Sequence, residues 1–211
     1  MSMKKPAVFL DRDGTLNEQM GYINHIRRFV LLPGVAEAIR LLNQEFLVLV
    51  VSNQSGVARG YFPIKLVLEV HERMKTLLQA EHARVDGIFF CPHHPGGSIP
   101  EYATSCPCRK PRDGLIKQAC REFDIDLAGS FVIGDRCLDM EFAQKANLEG
   151  ILVKTGYGLG EVEYVLPHSP FKPLLVASDL LDAARWLLET KGGIPRRPSG
   201  TGFGPSGASN S

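Results

Sequence analysis

The sequence predicts an α/β fold in which helices cover both faces of a doubly wound, parallel sheet. Short apolar runs alternate with segments whose apolar residues recur at helical spacing, which is typical of a parallel sheet with crossover helices. The composition, 44% hydrophobic and 22% charged, is that of a soluble globular chain. The 211 residues suffice for one domain, since domains commonly have ~100–200 residues.

Five apolar runs predict the strands: Val8–Leu10, Leu47–Ser52, Gly87–Phe90, Phe131–Ile133 and Ile151–Val153. Between and after them, apolar residues spaced for one helical face predict five helices. Their markers are Val35, Ile39 and Leu42; Val67, Val70, Met74 and Leu77; Leu115, Ala119 and Phe123; Phe142 and Ala146; and Leu180, Leu181, Ala184, Leu187 and Leu188, the last helix running from about Asp179 to Thr190.

Residues 1–190 are predicted to form one domain and residues 191–211 a tail. Gly, Pro and Ser dominate the tail, in which only Ile194 and Phe203 could bury appreciable apolar surface. Such a segment does not offset the entropy lost on ordering, so we expect it to be disordered.

The charge balance argues against nucleic acid and membrane partners. The formal net charge is +1, from 24 Lys+Arg and 23 Asp+Glu, which provides no electrostatic footprint for either. No apolar stretch approaches the ~20 residues of a bilayer span, and the apolar run before Asp11 is too short for a signal peptide. We therefore expect a cytoplasmic, monomeric protein whose five cysteines are metal ligands or core residues rather than disulfides.

The first strand is followed by two carboxylates, Asp11 and Asp13. Positions i and i+2 of an extended chain share a face, so the two carboxylates are expected to converge while Arg12 points away. Gly14 allows a sharp turn that places the pair at the carboxyl end of the strand, where open α/β sheets bind ligands. Two carboxylates this close repel, and a divalent cation that also binds phosphate would relieve the repulsion.

Further polar residues lie where other strands end. Ser52, Asn53 and Gln54 lie at the end of the second strand and offer donors to phosphoryl oxygens. Arg109 and Lys110 precede the third helix, where they could neutralise phosphoryl charge, and Asp135 and Asp139 follow the fourth strand. Each of these could instead cap a helix or form a turn, but their occurrence together and in order favours phosphate chemistry.

The chain resembles the haloacid dehalogenase-like phosphatases over roughly residues 6 to 155, because the four motifs of that superfamily are matched in order by Asp11, Ser52, Lys110 and Asp135. The resemblance implies that Asp11 is the nucleophile, which becomes an aspartyl phosphate, and that Asp13 is the proton donor and later the base. It also implies a Mg²⁺ ion bound by the carboxylates of Asp11 and Asp135 and by the backbone carbonyl of Asp13. Ser52 and Lys110 would hold the phosphoryl group.

Asp139 is expected to orient Lys110 or a metal-bound water.

A second metal site is predicted in the loop 91–108. Cys91, His93, Cys106 and Cys108 supply three sulfurs and one nitrogen, a set suited to tetrahedral, structural Zn²⁺. His94 is the competing imidazole. His93 is preferred because alternate residues point the same way, as Cys91 and His93 would, and because the family pattern agrees.

Within the superfamily the chain resembles the heptose bisphosphate phosphatases, which act on a sugar bisphosphate and lack a large cap domain. The resemblance is carried by the segments 11–17, 21–22, 52–60, 91–111 and 134–136. It implies that the substrate-binding residues are Gly21, Tyr22, Asn53, Gln54, Ser55 and Arg136, with Arg109 also recognising substrate. Gln19 departs from the usual Asp, and Ser52 replaces a common Thr while keeping the hydroxyl.

Three other functions are weighed against this one. A histidinol-phosphate phosphatase shares the aspartates and a zinc loop, but Ser55-Gly56 and the twelve residues between His93 and Cys106 favour the heptose branch. A polynucleotide 3′-phosphatase would need an electrostatic footprint that the charge balance does not provide. A non-catalytic, zinc-stabilised binding module is disfavoured by the intact set of motif residues.

Overall fold

Six strands form a single parallel sheet in the computed structural model, which describes residues 4–190. In chain order they are β1 (Ala7–Leu10), β2 (Leu47–Asn53), β3 (Gly87–Cys91), β4 (Phe131–Gly134), β5 (Glu149–Val153) and β6 (Leu175–Ala177). Across the sheet the order is β3-β2-β1-β4-β5-β6, and every pair of neighbours is parallel. The predicted doubly wound α/β fold is thus confirmed, whereas the predicted tail lies outside the described residues.

The central strand β1 is buried on both faces, which explains its unbroken apolar sequence. Its side chains alternate between two hydrophobic clusters: Val8 and Leu10 belong to one, and Ala7 and Phe9 to the other. Because a sheet covered on both sides needs apolar residues at every position, periodicity of two is absent from such a strand.

Six helices lie among the strands: α1 (Val35–Leu42), α2 (Ile64–Ala80), α3 (Gly114–Glu122), α4 (Cys137–Lys145), the short α5 (Gly158–Gly160) and α6 (Leu180–Glu189). Buried residues of α1, α2 and α6 pack in the cluster of Val8, and those of α3 and α4 in the cluster of Phe9. The Asp179 side chain caps α6 by accepting a hydrogen bond from the Asp182 N–H. Among residues 4–190, no helix has the length and apolar character needed to cross a membrane.

All five predicted helices are present, but strand β6 and helix α5 were not predicted. Strand β6 has only three residues at the edge of the sheet, too few to show a period. Helix α5 continues through a π-helical turn (Glu161–Val165) and a 3₁₀ turn (Leu166–His168), where glycines and a proline obscure a helical pattern. The absence of a large cap domain stays a prediction.

The strand order reverses between β1 and β4, since the chain proceeds from β1 outward to β2 and from β4 outward to β5. Such a reversal leaves a crevice beyond the carboxyl ends of the two strands, and ligands of open α/β sheets bind there. The fold therefore predicts a ligand-binding site at the residues immediately after β1 and β4.

Candidate functional site

A cavity of about 240 Å³ opens at this crevice. Asp11 follows β1 directly, and its N–H donates to the carbonyl of Ile133 in β4 (2.9 Å), so the two strand ends are joined by backbone. Asp135 follows β4 directly and is fully buried. The two central strands of the sheet thus fix the positions of Asp11 and Asp135.

Three acids converge here. Carboxylate oxygens of Asp11, Asp135 and Asp139 lie within 4.8 Å of one another. Burial raises the pKa of Asp135, and the charges of Asp11 and Asp139 raise it further. Burial also raises the pKa of Asp11, although Lys110 opposes the shift. Carboxylates this crowded are stable as anions only with cations beside them.

The residues present fit a Mg²⁺ ion. Oδ1 of Asp135 is buried and has no hydrogen-bond partner among the described residues, while Oδ2 accepts from the Tyr157 N–H (2.8 Å). Hard carboxylate oxygens are the ligands that Mg²⁺ prefers. Glycines make room for this carboxylate: a Cβ on Gly14 or Gly156 would lie 2.0 or 2.2 Å from Asp135 Oδ2.

Lys110 is the cation that joins the acids. Its Nζ donates to Asp11 Oδ1 (2.7 Å) and to Asp139 Oδ1 (2.6 Å), and the side chain is buried. Burial disfavours the charged form, but the two carboxylates outweigh it and raise the pKa of Lys110. The Asn53 amide fixes the Lys110 backbone by accepting from its N–H (3.0 Å) and donating to its carbonyl (3.1 Å).

The prediction that Arg12 points away from the two acids is wrong. Strand β1 ends at Leu10, so alternation of side chains no longer applies at Arg12. Its guanidinium instead donates to both carboxylate oxygens of Asp13 (2.9 and 2.8 Å). Asn17 and Gln54 also donate to that carboxylate (3.0 and 2.8 Å). Burial opposes ionisation of Asp13, but Arg12 and these hydrogen bonds lower its pKa overall.

All of the predicted catalytic and substrate-binding residues line this cavity. Those predicted residues are Asp11, Asp13, Gly21, Tyr22, Ser52, Asn53, Gln54, Ser55, Arg109, Lys110 and Arg136. Sequence reasoning did not assign Ile23, Leu138 and Tyr157, which also line it. Tyr157 lies under the Arg136 guanidinium (5.3 Å to the ring centroid); no local motif marked it, because it follows β5 rather than a motif strand.

Gln19, which stands where the resemblance predicts an Asp, organises the turn at the cavity wall. Its Oε1 accepts from the Gly21 N–H (2.8 Å), and its Nε2 donates to the Asp13 carbonyl (3.3 Å). A carbonyl oxygen has two lone pairs, so this contact leaves the Asp13 oxygen able to accept a further bond.

The cysteines and histidine of the loop form a second cluster. Sγ of Cys106 lies 3.3 Å from Cys91 Sγ and 3.1 Å from Cys108 Sγ. Nδ1 of His93 lies 3.7 Å from Cys91 Sγ and 3.6 Å from Cys108 Sγ. Ligands of tetrahedral zinc with Zn–S bonds of about 2.3 Å are roughly 3.5–3.8 Å apart, so the four donors fit Zn²⁺. The competing His94 faces Arg59 instead (3.0 Å).

This Cys/His cluster is tied to the cavity wall. The Arg109 guanidinium, which lines the cavity, donates to the carbonyl of His93 (3.2 Å). The loop also rests on the segment after β2, because the Ala58 carbonyl accepts from the N–H groups of Ser98 and Ile99 (2.8 and 3.0 Å). The conformation of this loop therefore fixes the position of the Arg109 guanidinium in the cavity.

Parts of a phosphoryl-transfer site are thus brought to one cavity by the ends of β1, β2 and β4 and by the loop before α3. Together with the doubly wound sheet, this arrangement defines a haloacid dehalogenase-like hydrolase. A family model described as HAD-hydrolase-like matches residues 107–183.

Sequence comparison with known proteins identifies the family within this class of hydrolases. The chain is 39% identical over 198 residues to the D-glycero-beta-D-manno-heptose-1,7-bisphosphate 7-phosphatase of Yersinia pestis, covering 93% of this chain and 96% of that one. It is 40% identical to the corresponding D-glycero-D-manno-heptose phosphatase of Thermosynechococcus vestitus, covering 88% and 96%. The chain belongs to the D-glycero-D-manno-heptose 1,7-bisphosphate 7-phosphatase family, and the predicted resemblance is confirmed.

Solved structures agree. The D,D-heptose 1,7-bisphosphate phosphatase of B. bronchiseptica, whose crystal structure contains magnesium and phosphate, superposes with a TM-score of 0.77 at 33% identity and covers 87% of this chain and 98% of that one. A Mesorhizobium loti protein described as a HAD-like phosphatase superposes with a TM-score of 0.75 at 34% identity, covering 92% of this chain and 90% of that one. The comparisons favour the heptose branch over the histidinol-phosphate alternative.

Proposed function

We propose that this protein is a Mg²⁺-dependent phosphatase that removes the 7-phosphate of D-glycero-D-manno-heptose 1,7-bisphosphate and leaves heptose 1-phosphate. The names of its relatives and the magnesium and phosphate in the B. bronchiseptica structure support this assignment. The observation that carries it is a single cavity lined by Asp11, Asp13 and Lys110. The guanidinium groups of Arg109 and Arg136 line the same cavity.

The first half of the reaction transfers the phosphoryl group to Asp11. A carboxylate oxygen of Asp11 attacks phosphorus, and the bond from phosphorus to the oxygen on C7 breaks with its electron pair remaining on that oxygen. Arg12 lowers the pKa of Asp13 in the free protein, but the negative charge of a bound phosphoryl group favours its protonated form. Asp13 then passes its proton to the oxygen on C7, so heptose 1-phosphate leaves with a neutral C7 hydroxyl. Lys110, Ser52 and the Asn53 segment hold the oxygens of the transferring group.

The second half regenerates the enzyme. Water attacks the phosphorus of the aspartyl phosphate, its proton passes to Asp13, and the bond between phosphorus and Asp11 breaks to release inorganic phosphate. The carboxylates of Asp11 and Asp135 and the carbonyl of Asp13 would hold Mg²⁺. When bound, this ion would neutralise charge on the phosphoryl oxygens.

Arg109 and Arg136 suit the second phosphate of a bisphosphate. Planar guanidinium groups bind phosphate oxygens in pairs, and the phosphoryl group beside Asp11 already has Lys110. Arg136 is held over Tyr157 and within 3.4 Å of Glu161, with its side chain half-exposed to the cavity mouth. A substrate with only one phosphate would leave these two guanidinium groups without a phosphate to bind.

For the Cys/His cluster we propose a structural Zn²⁺ bound by Cys91, His93, Cys106 and Cys108. The separations of these donor atoms support four ligands around one ion. A closed four-ligand site leaves no position for substrate, so the role assigned to the ion is to fix the loop that ends at Arg109. Zinc content of the purified protein, determined by elemental analysis, tests this assignment.

We also propose a cytoplasmic location, a small-molecule partner and a monomeric state. The thiolates of a Cys/His zinc site persist in a reducing compartment, which supports a cytoplasmic location. A small-molecule partner and a monomer are proposed from the near-neutral charge and the self-contained cavity. Cell fractionation and light scattering after size-exclusion chromatography test location and monomer.

Substrate preference is the decisive measurement. With Mg²⁺, kcat/KM for the β anomer of the heptose bisphosphate, the anomer named for the Yersinia pestis relative, should exceed kcat/KM for histidinol phosphate. An equal or higher value for histidinol phosphate would overturn the assignment. Activity on no phosphomonoester at all would instead leave a zinc-stabilised binding module as the better description.

A further inference from the structure

The reaction above makes no use of the most deeply buried cation of the site. Arg12 is 1% exposed and is among the largest fully buried side chains. Its guanidinium lies behind Asp13, on which Nη2 contacts both oxygens and Nε contacts Oδ1 (3.2 Å). Nη2 also donates to the Gln54 side chain (3.1 Å).

A histidine holds the other side of this guanidinium. Nε2 of His71, a buried residue of α2, lies 3.3 Å from Arg12 Nη1, and its ring packs against Phe90. Burial and the nearby charge of Arg12 lower the pKa of His71 to about 3. The ring is therefore neutral near pH 7, and Nε2 accepts a hydrogen bond from Arg12.

Space filling does not explain an arginine in this position. A buried ion pair has a large desolvation cost and is often no more stabilising than well-packed apolar residues. What the pair provides is geometry: a planar guanidinium, fixed by His71 and Gln54, fixes the plane of the Asp13 carboxylate against which it lies. Proton transfer depends steeply on such orientation.

We propose that Arg12, held by His71, is a positioning residue that orients the Asp13 carboxylate for proton transfer to the leaving oxygen. The inference rests on the proposed function, because it requires Asp13 to be the acid. It assigns a role in turnover to two residues, Arg12 and His71, that do not line the cavity and that lie 59 positions apart in the chain.

Leaving-group dependence separates orientation from mere stability. A poor leaving group such as an alkoxide needs a proton from Asp13, whereas 4-nitrophenolate leaves without one. For a series of aryl and alkyl phosphates with Mg²⁺, kcat/KM reports the steps up to formation of the aspartyl phosphate. The slope of log kcat/KM against leaving-group pKa therefore measures how well the acid works, independently of the heptose contacts.

We expect a shallow slope for the unmodified enzyme and a steep one for Asp13→Asn. Arg12→Gln should steepen the slope towards that of Asp13→Asn, with a loss of about 10- to 100-fold on alkyl phosphates and only a few-fold on 4-nitrophenyl phosphate. Arg12→Lys should recover part of the loss. The matched control is Arg73→Gln, an exposed arginine on the same helix as His71, which should keep the original slope.

His71→Leu keeps the experiment decisive if Arg12→Gln does not fold. It removes only the acceptor behind the guanidinium and should steepen the slope by a smaller amount. An unchanged slope in the variants, with all substrates slowed equally, overturns the positioning role even though phosphatase activity is present. An unmodified enzyme that hydrolyses none of the series refutes the proposed function itself, a result distinct from the first.

Discussion

The two clusters of metal-ligating side chains, at the acidic site and in the Cys/His loop, are held in place by different means. Asp11 and Asp135 extend from adjacent central strands whose backbones are hydrogen-bonded throughout, so their positions do not depend on an ion. The Cys/His cluster joins the end of β3 to a segment, 92–113, that contains neither helix nor strand. There the ligands themselves provide the cross-link.

The proposed Mg²⁺ would therefore act in the chemistry, whereas the proposed Zn²⁺ would fix the shape of the loop. Removal of Mg²⁺ should leave the fold intact, because the sheet positions the acids. Removal of Zn²⁺ should release the loop and, with it, the contact between the His93 carbonyl and Arg109. The two sites meet in adjacent residues, since Arg109 is tied to the loop and Lys110 to Asp11.

The largest effect is expected at the nucleophile. Asp11→Asn should lower kcat on every phosphomonoester by at least about 10³-fold, because an amide does not form the aspartyl phosphate, while thermal unfolding changes little. Asp124→Asn, at an exposed acid paired only loosely with Lys4 (4.0 Å), is the control. Full activity in Asp11→Asn would exclude a covalent route through this residue.

A smaller but still large effect is expected where glycine makes room for Asp135. Gly156 has φ +57°, and a Cβ there would lie 2.2 Å from the Asp135 Oδ2 and 2.5 Å from the Gly14 Cα. Gly156→Ala should displace the carboxylate and weaken activation by Mg²⁺ about 10- to 100-fold, measured as rate against Mg²⁺ concentration. Gly160→Ala meets no atom within 4 Å and should match the unmodified enzyme. Equal Mg²⁺ dependence in both variants would argue against Asp135 as a ligand.

The loop should respond in stability before it responds in chemistry. Cys108→Ala should abolish zinc binding, lower the free energy of unfolding by at least about 3 kcal/mol and raise KM through Arg109, with a smaller change in kcat. Cys120→Ala, outside the cluster and half-buried, is the control. Purified protein that contains no zinc, and a melting temperature equal to that of the control, would contradict the structural role.

The smallest effect is expected at the cavity mouth. Arg136→Gln should raise KM for the bisphosphate about tenfold, because a charge-assisted contact to the second phosphate is lost, but should leave KM for heptose 7-phosphate nearly unchanged. Arg185→Gln, at a surface arginine paired with Glu37 on α1, serves as the control. Equal changes with both substrates would show that Arg136 does not read the second phosphate.

The fold was largely predictable, because helices and buried strands have local signatures. The last helix was predicted from Asp179 to Thr190 and spans Leu180–Glu189, between those two capping residues. Strand β6 escaped because three residues at a sheet edge are too few to show a period. The polar cavity residues carried by motifs were predicted, whereas Ile23, Leu138 and Tyr157 were not.

The sequence by itself determined the order of five of the six strands and of the five longer helices, the adjacency of Asp11 and Asp13, and the Cys/His set, since all of these depend on neighbours along the chain. Only the tertiary structure decided which charges meet. Lys110 reaches Asp11 across 99 positions, and Arg12 turns inward to Asp13 and His71 although alternation predicted the opposite. The physical reason is that a side chain beyond the end of a strand is directed by packing and by the charges around it, and those come from distant parts of the chain.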